Sequence, residues 1–130
     1  MKIKILALSL LTCSSLGAIA QGQPPLSYFD GNYEIVGRQA DSLTELVGGD
    51  LTIATQGERL ILTSKTAGRG WLARKSGGGE GASPLAGKLN GREIFCLFQN
   101  DPDNYPRLTC KTQPNTPDGA PGLYTFWPQP

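Results

Sequence analysis

The sequence predicts a mainly β fold: a small antiparallel meander of about seven strands that curls into a barrel or clamshell, with one short helix near residues 42–48 and one disulfide. Three observations carry this. Short segments alternate apolar with polar residues and are separated by turn residues, the pattern of strands with one buried face. Gln56-Gly57 and Asn90-Gly91 stand between such segments, where tight hairpin turns form. Cys96 and Cys110 lie in neighbouring segments, and pairing them also sets Phe98 opposite Leu108 on one face. A chain of 130 residues has room for one such domain.

Residues 1–20 read as a signal peptide. Lys2 and Lys4 give a positive start, Ile5–Leu11 an apolar run, and Ala18-Ile19-Ala20 a small-residue cleavage site before Gln21. The run is too short and too rich in Ser and Thr to span a bilayer as a helix. Leu10-Leu11-Thr12-Cys13 resembles a bacterial lipobox, with Thr12 where that box has Gly or Ala; lipidation at Cys13 would leave the product membrane-anchored. Cleavage at Gln21 implies an exported protein, periplasmic or extracellular, with no transmembrane segment in the mature chain. It removes two lysines and leaves ten bases against eleven acids, a net charge of −1, so no general affinity for nucleic acid is expected. Cys96 and Cys110 then remain, and in an oxidising compartment they pair.

Residues 21–29, with Pro24 and Pro25, are expected to be a poorly ordered lead-in to a single β-rich domain at 30–130. Tyr33–Gly37 is the first strand. Ser42 and Glu45 have capping-box spacing, Leu43, Leu46 and Val47 recur at helical intervals, and Gly48 is a natural stop; these predict a short helix of one to two turns, with an irregular loop as the alternative. Leu51–Thr55 and Glu58–Thr63 form a hairpin about Gln56-Gly57, pairing Ile53 with Leu60 and Leu51 with Leu62. Gly70–Arg74 is a short strand. Asn90-Gly91 sets Lys88 against Glu93, and Ile94–Phe98 pairs with Arg107–Lys111. Thr112–Gly122 carries Pro114, Pro117 and Pro121 and has no strand pattern. It reads as a rigid crossover or a preorganised recognition loop. Gly122–Trp127 is aromatic on both faces, as in a covered strand or a strand on which a partner sits.

The residue types bound the function. The chain has no His, which removes Ser-His-Asp and Cys-His catalysis and imidazole metal sites. Gly77–Gly81 follows Lys75-Ser76 in an order unlike a phosphate-cradling loop, in which Lys and Ser or Thr close the motif and open a helix. Asp101, Asp103 and Asn104 offer oxygen ligands but lack the Gly and Glu positions of a calcium loop. The carboxylates Asp30, Glu34, Asp50 and Glu93 are not spaced as a glycosidase pair. The chain therefore reads as a non-enzyme, with no cofactor and no metal.

Charge is distributed unevenly. Residues 30–50 hold five acids and one base, whereas residues 65–75 hold four bases and no acid: Lys65, Arg69, Arg74 and Lys75, with Trp71 among them. Such a section suits an anionic partner, either a protein with an acidic cleft or an anionic envelope component, with Trp71 as the anchor. The alternative is that the two sections face each other and Trp71 is core. Lys65, Arg69, Trp71, Arg74 and Lys75, joined by the Pro-rich stretch, are thus the candidate binding residues.

In architecture the chain resembles small secreted β-barrels, which include lipocalin-like carriers and bacterial inhibitors of lysozymes and proteases. Gly31-Asn32-Tyr33 resembles the Gly-x-Trp opening of lipocalins, with Tyr in place of Trp. The expected function is binding another macromolecule through surface loops, with inhibition of a hydrolase as the specific form. Alternatives are a carrier of a small apolar ligand and a structural envelope protein. Ile53, Leu60, Leu62, Phe98 and Leu108 are bulky inward residues for a carrier, which needs a cavity of about 300 Å³ or more.

Overall fold

Segments with every second side chain apolar can hide that face only by packing on another sheet or closing on themselves. This chain closes. A computed structural model describes residues 24–76, 82–99 and 106–130. It contains a 3₁₀ helix, Leu26–Phe29, then β1 (Gly31–Arg38), β2 (Leu46–Gln56), β3 (Arg59–Ser64), β4 (Gly68–Arg74), β5 (Ala82–Leu89), β6 (Arg92–Gln99), β7 (Leu108–Thr112) and β8 (Gly122–Pro128). Each strand is antiparallel to the next, and β8 returns to β1 through Arg38↔Leu123 and Ile35↔Phe126. The barrel leaves no open sheet edge. Residues 1–20, the predicted signal peptide, lie outside the described residues, as do the Gly77–Gly81 and Asp101–Asn104 motifs.

Inward positions form one core of Tyr33, Ile35, Leu51, Ile53, Leu60, Leu62, Leu72, Leu85, Ile94, Phe98, Leu108 and Phe126, with Phe29 added from the 3₁₀ helix. Cys96 and Cys110 face each other in register and are disulfide-bonded, and Phe98 opposes Leu108, as expected. Lys88 opposes Glu93 across the Asn90-Gly91 turn. Asn90 and Gly91 have φ of 52° and 79°, the double left-handed geometry of a type I′ hairpin. Two further glycines, Gly70 and Gly87, are required by close approach. A Cβ on either would collide with a backbone carbonyl of the neighbouring strand, that of Lys88 or Trp71.

Four expectations need correction. There are eight strands rather than about seven. Ala82–Leu89 was missed because Pro84 and Gly87 interrupt its alternation. The helix near 42–48 does not form. Ser42 Oγ does accept hydrogen bonds from the Thr44 and Glu45 amides, at 3.2 and 2.9 Å, but this cap closes a turn. Gln39 N–H then bonds the Glu45 carbonyl, and Leu46–Gly48 pair with β1. A helix this short needs packing to persist, and Leu43 and Leu46 have none, being 76% and 80% exposed.

In the β2–β3 hairpin the turn falls at Gly57-Glu58, so Ile53 opposes Leu62 rather than Leu60. Gly57 takes φ 63° at the first central position, as a type II′ turn demands. The two-residue shift leaves the inward set unchanged, so hydrophobic pattern alone could not choose between the registers. Finally, the lead-in is ordered from Pro24 onward. Phe29 is fully buried, its ring edge-on to Phe98 at 5.2 Å and to Tyr28 at 5.4 Å. The Tyr33 hydroxyl donates to the Phe29 carbonyl at 2.7 Å, and the Arg74 guanidinium donates to the Pro24 carbonyl. Burial pushes the Tyr33 phenol well above its ordinary range.

Candidate binding surface

Parity along β4 decides where the basic section points. Leu72 is inward and fully buried, so Arg69, Trp71 and Ala73 face out. Trp71 is half-buried on the barrel wall, not in the core. Its cross-strand neighbours are Ile61 on β3 and Lys88 on β5, and the Arg59 guanidinium lies 3.9 Å from its ring centroid. Register therefore brings Arg59 and Lys88 to Trp71 and Arg69, two cations that chain proximity alone did not reveal. The signal was available in the hairpin registers: Ile61 opposite Trp71 places Arg59 one outward position away.

The structure divides the other predicted residues. Lys65 sits in the β3–β4 turn at one end of the barrel, and Arg74 and Lys75 lie at the other. A strand of seven residues spans about 20 Å, so the five do not form one compact patch. Arg74 holds the lead-in at Pro24. Lys75 turns onto β6, its Nζ 5.6 Å from the Phe95 ring centroid.

Lys75 there meets the Pro-rich stretch. A groove of about 450 Å³ runs over β5, β6 and β7, with Ala86 and Phe95 on its floor, Lys75 and Lys111 beside them, and Pro114, Pro117 and Pro121 as its wall. Ala73, Ala86, Phe95 and Lys111 form one cross-strand row, so the Trp71 face continues into this groove. Asp41 helps fix the wall by accepting from the Asn115 amide at 2.8 Å.

The acidic section does not neutralise the basic one. Asp30 accepts from the Thr55 amide and hydroxyl, at 2.7 and 2.6 Å. Glu34 and Asp50 oppose each other on β1 and β2. The one ion pair among the described residues joins Arg92 and Asp41 at 3.9 Å. Among the described residues no cluster of three or more His, Cys, Asp or Glu could hold a metal, and no helix is long and apolar enough to cross a membrane. At the barrel end opposite Phe29, Gln39, Thr66, Asn90, Arg92, Thr112 and Tyr124 line a polar chamber of about 80 Å³. Thr112 Oγ1 is buried there without a hydrogen-bond partner. No protein-family model matches the chain, and comparison with the curated proteins finds no relative.

Proposed function

We propose that the protein is an exported, non-enzymatic binding protein that engages an anionic macromolecule through the outer face of β3–β5 and the Pro-walled groove beside it. The observation that carries this reading is the outward Trp71, half-buried under Arg59 and bordered by Arg69 and Lys88, with Glu93 the acid nearest in register. A flat aromatic ringed by cations combines an anchor with long-range attraction for negative charge. The groove adds Lys75, Lys111 and Phe95 against one acid, Glu93, walled by prolines whose conformational freedom is already small. An acidic cleft of a hydrolase is a partner of this kind, and filling it would inhibit the enzyme. The packed interior supports surface binding over carriage, because Phe29, Phe98, Phe126 and the inward leucines stand where a carried ligand would lie. Export is supported by the signal-peptide pattern of residues 1–20 and by the Cys96–Cys110 disulfide.

The test is capture from an envelope extract with the purified protein as bait, beside an Arg69→Glu/Lys88→Glu variant. Capture by the native protein should weaken as salt rises, since exposed charges are screened over about 8–10 Å at physiological ionic strength, and should be lost in the variant. Capture that withstands both salt and charge reversal would refute the reading.

A further inference from the structure

The large apolar side chains exposed among the described residues are Val36, Leu43, Leu46, Leu123 and Trp127. All lie on β1, β2, β8 or the β1–β2 turn, centred on the far side of the barrel from Trp71. Their gathering on one side of the barrel, with charged and polar residues between them, singles this face out. Its pattern is ordered. The middle cross-strand row is Gly48–Val36–Thr125. Two residues along in one direction the row is Asp50–Glu34–Trp127, and two residues along in the other it is Leu46–Arg38–Leu123. Acid and base thus stand equidistant from Val36 on β1, about 7 Å each way, and Trp127, whose ring carries the Arg107 guanidinium 5.1 Å from its centroid, and Leu123 stand equidistant from Thr125 on β8.

We propose that this face pairs with a second copy of the same chain about a two-fold axis along the Gly48–Val36–Thr125 row. Such an axis turns β1 of one copy antiparallel to β1 of the other, so Arg38 of each meets Glu34 of the other, Val36 meets Val36, and Trp127 covers Leu123. That reciprocity is what an isologous interface requires. The free chain leaves these charges uncommitted. Glu34 and Asp50 oppose each other, a repulsive arrangement, and Arg38 has no ion pair and a buried Nε without a hydrogen-bond partner. The second copy sets its Arg38 guanidinium against Glu34, next to the Glu34–Asp50 repulsion, and sets Leu46 against Asp50. Gly48 makes the axis approachable, since a groove of about 360 Å³ lies over it, lined by Val36, Leu46 and Asp50. The fold does not itself demand glycine there: an added Cβ would meet only the Ile35 carbonyl oxygen, at 3.6 Å.

Three strands about 4.8 Å apart and about seven residues long give a footprint of roughly 300–400 Å² in projection. That is small beside the ~800 Å² per partner of standard interfaces, so the dimer is weak and concentration-dependent. Sedimentation velocity of the purified protein over a wide concentration series is the test, with circular dichroism and thermal melts confirming that each variant folds. The native protein should shift from monomer to dimer. Glu34→Arg and Arg38→Glu should each weaken dimerisation about tenfold or more, the double swap Glu34→Arg/Arg38→Glu should restore it, and Gly48→Arg should abolish it in a folded barrel. A native protein that stays monomeric throughout, single variants that dimerise normally, or a double swap that fails to restore pairing would each overturn the proposal. So would a folded Gly48→Arg protein that still dimerises.

Discussion

Replacing Phe29 with alanine should remove about 4–5 kcal/mol of stability. Phe29 belongs to a lead-in that looks dispensable in sequence, yet its side chain is fully buried. Truncating a buried Phe costs about 3–5 kcal/mol in lost transfer energy and residual cavity. Edge-on contacts with Tyr28 at 5.4 Å and Phe98 at 5.2 Å place it in the upper part of that range, since such ring pairs add about 0.5–1.5 kcal/mol beyond area. The barrel end cannot collapse to fill the space, because β6 and β1 are held in register by their neighbours on both sides. A domain of this size has about 5–15 kcal/mol in total, so the variant should be marginal. Urea unfolding followed by tryptophan fluorescence measures the loss as a fall in midpoint with an unchanged slope. Leu43→Ala, at a site 76% exposed, is the control and should stay within about 0.5 kcal/mol of the native protein. A loss below about 1 kcal/mol for Phe29→Ala would refute the assignment of the 3₁₀ helix to the core.

Removing the disulfide by Cys96→Ala/Cys110→Ala should cost about 3 kcal/mol on the chain-entropy model for a loop of this length, and thiol titration of the native protein should find neither cysteine reactive. Tyr33→Phe should cost about 1–3 kcal/mol at neutral pH by leaving the Phe29 carbonyl unsatisfied. Because burial raises the Tyr33 phenol above its unfolded value of about 10, its contribution is complete below that pH and is lost as pH rises past it. Native stability should therefore fall above about pH 10, and less steeply in Tyr33→Phe; equal slopes in alkaline denaturation would count against this. Trp71→Ala should cost the fold about 2 kcal/mol, from the buried half of its ring and the Arg59 contact, while weakening partner capture by about 2 kcal/mol or more. A folding loss of about 3–5 kcal/mol, seen in thermal melts, would mean that Trp71 is core after all.

Alternation made most strands legible, the cysteines fixed the pairing of β6 with β7, and the Asn90-Gly91 turn fixed Lys88 against Glu93, though the rest of β5 carried no alternation to read. What alternation cannot show is closure. Whether β8 meets β1 depends on strand tilt and on close-approach glycines such as Gly70 and Gly87, which carry no periodic signal. The lead-in misread has a specific cause. Pro24 and Pro25 argue for an open segment, and the burial of Phe29 is a long-range event, set by Phe98 almost seventy positions later. The helix misread had real local chemistry behind it, since Ser42 caps as its spacing suggests, but strand pairing of Leu46 with Arg38 overrides propensity. At the candidate surface, Trp71 and Arg69 were legible from local charge. Arg59, Lys88 and Lys111 were not, because they reach the site through register, and the Pro-walled groove exists only once Lys75 and Pro114–Pro121 are brought together by the barrel. The apolar strand at 122–127 was legible as an oddity, and the structure resolves it: Tyr124 and Phe126 point inward while Leu123 and Trp127 face out.

The most direct measurement is a leucine-methyl and tryptophan-indole NMR titration of the labelled protein with its captured partner. Binding on the outer face should shift or broaden the Trp71 indole and leave the methyls of the inward Leu60, Leu62, Leu72, Leu85 and Leu108 in place. Perturbation of those core methyls with an unmoved Trp71 indole would contradict it and place the ligand inside the barrel.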